Sequence, residues 1–128
     1  MTLPNLDEVR YAVSDSIKTV ENLIEKLSTQ KSLTHQEFRH DYHSIMMELL
    51  QIEDETQLLT VNDKYSKGFY KMKKILLSLL DIDKIEKKHA NDHFIFLDTQ
   101  LTKDMRKDLI KFFKNISKQL KQVLKTLN

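Results

Sequence analysis

The stretch LTKDMRKDLIKFFKNISKQLKQVLKTLN, residues 101–128, decides the fold. Leu101, Met105, Leu109, Phe112, Ile116, Leu120, Val123 and Leu127 recur at steps of three and four, the repeat of one helical face. Lys107, Lys111, Lys114, Lys118, Lys121 and Lys125 keep the same period, and Lys111 stands about 200° of turn from Leu109. One side of the rod is apolar and the opposite side is cationic. Upstream, the apolar stripe continues through Leu97 and Phe94 to Asn91 and Asp92, either of which has the short acceptor side chain of an N-cap. The spacing predicts a last helix from there to Leu127.

The same repeat appears three more times. Asn5-Leu-Asp-Glu8 has the form of a capping box, and Leu6, Val9, Val13, Ile17, Val20, Ile24 and Leu27 follow as one stripe. Thr34-His-Gln-Glu37 is a second box, opening a helix with Phe38, Tyr42, Ile45, Leu49 and Ile52 on its inner side, widened by Met46 and Leu50. Three acids at Glu53-Asp-Glu55 oppose a helix C-terminal dipole, so this helix is expected to end or bend there. Tyr65, Phe69, Met72, Leu76 and Leu79 mark a third helix, with Gly68 inside it, and the mixed polar run Asp81 to Asp92 reads as a connection. Four amphipathic helices with short links give an all-α, antiparallel up-down-up-down four-helix bundle, either monomeric or dimeric.

Composition agrees. The chain has one glycine (Gly68) and one proline (Pro4) in 128 residues, where average usage gives about nine and six. Turns, bulges and phosphate-cradling loops draw on those two residues, so regular structure with short joints is what remains. At 15.2 kDa the chain reads as a single domain over residues 1–128. Cysteine is absent, which excludes disulfides and thiolate metal sites. Residues 1–5 lack the basic start and apolar run of a secretory signal, and Ile75 to Leu80 is far shorter than the ~18 residues a membrane crossing needs. A cytoplasmic protein without membrane association is the expectation.

The net charge of +2 hides an asymmetry. Residues 1–60 hold 5 basic and 11 acidic side chains, net −6, while residues 61–128 hold 16 and 8, net +8. The lysine face of the last helix is either a solvated surface that complements the helix dipole or a charge ladder for an anionic partner. Arg106 is the only arginine in that segment, and Phe112 and Phe113 fall on the apolar side, leaving no aromatic among the lysines. Weak nucleic-acid backbone contact fits this pattern; base reading does not.

Glu37-x-x-His40 and Glu86-x-x-His89 repeat a spacing used by di-iron bundles, but His40 points about 160–200° from the inner face of its helix, and the expectation is no metal. His89 and His93 are expected on the surface. Around His40, the run Glu37 to Met46 carries Phe38, Arg39, His40, Asp41 and Tyr42 in succession. It resembles the phosphoacceptor box of the peptide-sensing histidine kinases of Gram-positive quorum systems, approximately Phe-Arg-His-Asp-Tyr, any residue, Asn, then an aliphatic pair. More loosely it is similar to the box of the sporulation phosphotransferase, a helical hairpin that dimerises into a four-helix bundle. The resemblance implies His40 as phosphoryl carrier and Asp41 as its acid–base neighbour, and Arg39 would stabilise charge on the transferring group. Ser44 stands where the box prefers Asn, the match spans about ten residues, and one glycine does not supply the glycine-rich ATP-binding boxes of a kinase.

No Walker loop, Gly-x-Ser-x-Gly turn or nucleophile–base–acid set is present. The expected function is therefore that of a non-catalytic interaction protein without cofactors: an adaptor, chaperone, regulator or assembly subunit in a homo- or hetero-oligomer. Leu23, Met47, Leu77, Phe96, Phe113 and Leu124 lie outside the best stripes, a surplus that suits a contact surface. A histidine phosphotransfer module at His40 and phosphate-backbone binding by the lysine row are the alternatives.

Overall fold

A computed structural model describes residues 5–61, 63–90 and 99–128. Helices α1 (Leu6–Thr29), α2 (His35–Leu58), α3 (Ser66–Ser78), α4 (Ile82–Ala90) and α5 (Lys103–Thr126) account for most of them. Single 3₁₀ turns cover Leu59–Val61 and Asp63–Tyr65 between α2 and α3, and Leu79–Asp81 between α3 and α4. Ser78, Leu79 and Ile82 all keep right-handed helical dihedrals, so α3 and α4 run on as one rod with a tightened turn. Four rods result, with α1 packed on α2 and α5, and α3 on α2 and α5, in an all-α up-down bundle.

Asn5 caps α1 by accepting from the Asp7 N–H at 2.8 Å, one residue earlier than a capping box requires. The box at Thr34 forms in both directions, Glu37 N–H to Thr34 Oγ1 and Thr34 N–H to Glu37 Oε1, each 3.2 Å. Helix α2 runs past the three acids to Leu58 rather than ending at them. The polar run after Asp81 is helix α4, not a connection. The predicted start of the last helix at Asn91 or Asp92, with Phe94, Phe96 and Leu97, lies outside the described residues. Within them, Leu101 precedes α5, and Thr102 is the N-cap, accepting from the Met105 N–H at 3.1 Å. Just before it, the backbone at residues 99–101 pairs with residues 33–35, His35 N–H to Thr99 O at 2.8 Å and Leu101 N–H to Leu33 O at 2.9 Å.

The pair α1 and α5 forms the spine. Their buried positions match one for one at a spacing of 100 residues: Val9 and Leu109, Val13 and Phe113, Val20 and Leu120, Leu27 and Leu127, with small and large exchanged at Ser16–Ile17 and Ile116–Ser117. The two helices run antiparallel, Arg10 lying by Leu127 and Arg106 by Leu27, so these are equivalent positions of two similar helices and not facing partners. The ends are tied by reciprocal guanidinium caps. Arg10 donates to Leu127 O at 2.7 Å, and Arg106 to Leu27 O, Gln30 O and Lys31 O at 3.2, 2.6 and 3.3 Å. Carbonyls at a helix C-terminus lack partners in the helix, and a planar cation satisfies several at once.

The core differs from the predicted stripes by one position in places. Leu23, Ile75 and Phe113 are fully enclosed, whereas Ile24, Leu76 and Phe112 are half-buried. Gly68 is buried where α3 meets the end of α5.

Candidate functional site

The six lysines of the predicted row are all exposed on α5. Lys121 reaches Glu21 of α1 at 3.1 Å, and among the described residues the other five make no ion pair. The row forms the crest between two grooves. Towards α1, a groove of about 490 Å³ is walled by Lys114, Lys118, Lys121 and Lys125 against Glu21 and Ile24. Towards α4, an open groove of about 560 Å³ has Lys84, Lys88 and Lys111 on its rim and Ile85, Phe112 and Asn115 below. The expectation of no aromatic near the lysines is thus overturned. Phe113, not Phe112, takes the core position, meeting Phe38 edge-on at 6.1 Å, and this turns Phe112 into the groove.

Among the described residues lining that groove the acid is Asp108, and its Oδ2 is engaged twice. Lys88 Nζ lies 2.9 Å and His89 Nε2 2.7 Å from its Oδ2. Those two hydrogen bonds, the Lys88 one foremost, hold its carboxyl below the usual carboxylate range. His89 is therefore not the surface residue expected: its side chain is 13% exposed. His93 lies outside the described residues.

His40 is exposed on α2, as its helical phase requires. Its neighbours are committed elsewhere. Asp41 Oδ2 accepts from Lys26 Nζ of α1 at 2.8 Å, and Arg39 pairs with Glu86 of α4. The structure brings Arg39, His40 and Asp41 together in sequence but turns their charged groups towards three directions: α4, solvent and α1.

A buried polar junction, unmarked in the sequence, joins α2 to α4. His35 is 4% exposed, with Nε2 3.3 Å from Glu86 Oε2 and 3.5 Å from Arg39 Nε. Burial lowers the His35 pKa, more than the Glu86 charge raises it. The nearby Tyr42 hydroxyl donates to Leu79 O at 3.1 Å, locking α2 onto the turn before α4. Across the bundle, the half-buried Glu48 carboxyl is pushed up, first by burial and then by the charge of Asp15.

Among the described residues no group of three or more His, Asp or Glu is placed to hold a metal ion. Neither Glu-x-x-His pair converges: Glu37 serves the α2 cap, while Glu86 faces α2 and His89 faces α5. No helix among the described residues is long and apolar enough to cross a membrane.

Comparison with protein-family models, curated proteins and solved structures finds no match to this chain.

Proposed function

We propose that this chain is a small, non-catalytic, cytoplasmic interaction protein that docks another protein through helix faces, as an adaptor, chaperone, regulator or assembly subunit. The observation that carries the reading is the outer side of α3 and its neighbour α2. Leu77 is 67% exposed, Leu80 and Tyr70 are 65% exposed, and Leu50 of α2 is 42% exposed. Tyr70, Leu77 and Leu80 stand at i, i+7 and i+10, which keeps them within about 80° of one another round the helix. Isolated exposed leucines need no explanation, but a set in one phase on packed neighbouring helices suits a partner helix or groove.

The test compares wild type with Leu77→Glu/Leu80→Glu by sedimentation velocity and by affinity capture from the native source with quantitative mass spectrometry. Both positions are exposed, so melting temperature should stay within about 2 °C, the range of surface substitutions. A homo-oligomer or specific partner present with wild type and lost with the variant supports the reading. A strictly monomeric wild type whose captured proteins match those of the variant refutes it.

A second reading is favoured by the exposure of His40 together with the box around it: phosphoryl transfer through that imidazole. Its ring is open to a phosphodonor, and release of Asp41 from Lys26 would free the adjacent carboxylate for proton transfer. Incubation with a phosphorylated response regulator or partner kinase should give acid-labile label on wild type and none on His40→Gln. Label that survives His40→Gln, or no label at all, removes this reading.

A further inference from the structure

We propose that the groove between α4 and α5, together with the lysine row leading from it, binds single-stranded nucleic acid, with phosphates on the lysines and a base against Phe112. This goes beyond protein docking and uses a different face.

Charge comes first. From Leu109 to Asn128 there is no acidic residue, and none between Lys64 and Leu80 in the rod packed beside α5. Among the described residues lining the groove the acid is Asp108, which pairs with Lys88 Nζ and hydrogen-bonds with His89 Nε2. What faces solvent is a straight cationic edge. Lys107 to Lys125 spans about 27 Å, with one ammonium per turn. Such an edge attracts a linear polyanion and releases its counterions.

The floor then separates the classes of polyanion. An acidic protein helix would seek a continuous apolar seam beside its charges. Here the apolar side chains beside the row (Ile85 and Phe112, with Ile24, Ile110 and Leu124 half-buried) are interrupted by amides, Asn115 and Gln122 exposed and Gln119 half-buried. Amides hydrogen-bond to phosphate, sugar and base edges alike. A membrane surface would need apolar side chains projecting from the cationic face, but the apolar side of α5 is spent on the core. Between duplex and single strand, Phe112 decides. It is half-buried and lines the open groove with Lys84, Lys88 and Lys111, so a base must leave its stack to lie against the ring. Cations flanking an aromatic platform are the elements of sequence-tolerant single-strand binding.

The test is fluorescence anisotropy of 5′-fluorescein dT20 with the whole chain between 50 and 200 mM salt. Saturable binding is expected, weakening with salt, and Lys84→Gln/Lys111→Gln should lower the log–log salt slope by about 1.4, two single-strand phosphate contacts. Phe112→Leu should weaken binding about five- to hundredfold with the slope unchanged, while Phe112→Tyr, which keeps a stacking ring, binds like wild type. Polyglutamate of equal charge and a 20-base-pair duplex should compete at least tenfold less well than unlabelled dT20. Absence of saturable binding at 50 mM salt overturns the proposal, as does equal competition by polyglutamate or duplex. Wild-type affinity in Phe112→Leu also overturns it, and the Tyr variant guards against a loss caused by misfolding.

Discussion

Replacing Gly68 by alanine sets two effects of similar size against each other. Inside a helix alanine is better than glycine by about 1 kcal/mol. A Cβ at position 68, however, would stand 2.9 Å from Thr126 Oγ1 and 3.5 Å from a Leu127 methyl. The second distance is ordinary contact; the first is too short by roughly half an ångström. Relief requires the Thr126 hydroxyl to turn away, which breaks its 2.6 Å hydrogen bond to Val123 O. That bond is worth about 1 kcal/mol, so the gain and the loss nearly cancel. Gly68→Ala alone should therefore change stability by less than about 0.5 kcal/mol, whereas the same substitution in Thr126→Ala should stabilise by about 1 kcal/mol. Urea denaturation of the four proteins, followed by far-ultraviolet circular dichroism at constant m-value, measures the coupling directly. Full stabilisation by Gly68→Ala alone, or strict additivity across the cycle, would refute the close approach of α3 and α5.

Arg106→Met, which strips the α1 carbonyl cluster, should cost about 2 kcal/mol, and Arg10→Met, which frees one carbonyl, about 1 kcal/mol. Thermal melts that show equal losses would contradict the unequal caps. His35 titrates below its ordinary value because of burial, so its contribution is complete above the unfolded value near 6.5 and is lost as pH falls through the folded value. His35→Gln should flatten the stability–pH curve on the acid side of about pH 6.5, as urea midpoints at stepped pH would show. Glu48 is raised, so its contribution is complete below the ordinary carboxylate range and is lost as pH rises through the folded value. Glu48→Gln should be more stable than wild type at neutral pH, with the gap closing near about pH 4; a constant gap would argue against burial as the cause.

The bundle was legible because its helices announce themselves in two independent ways: apolar period and caps. Thr34 with Glu37 shows both signals, and the structure forms both bonds of the box. Helix α3 shows the apolar period without a side-chain cap and is still read, and where the period too is missing the reading slips. Helix α4 has Ile82 as its sole fully buried residue, and polar contacts through Glu86, Lys88 and His89 hold it in place. Apolar periodicity cannot register a helix anchored that way. The start of α5 slipped for a different reason. Leu101 keeps the helical step, yet its backbone N–H bonds to Leu33 O, a partner 68 residues away that no local pattern contains.

The candidate sites were legible in their charges and not in their surroundings. Exposure of all six lysines and of His40 follows from helical phase, which one sequence suffices to give. The partners of Arg39 and Asp41 do not, because Glu86 and Lys26 arrive from other rods. Phe112 shows the limit most sharply. Adjacent aromatics at 112 and 113 differ by about 100° in phase, and a stripe with steps of three and four accommodates either one. The choice is made by packing: a site beside Phe38 accepts the ring of Phe113. Phe112 is then displaced towards α4, a helix whose existence the apolar pattern had not shown. The aromatic in the cationic groove is thus a consequence of two tertiary facts at once, and that is why charge alone was visible beforehand.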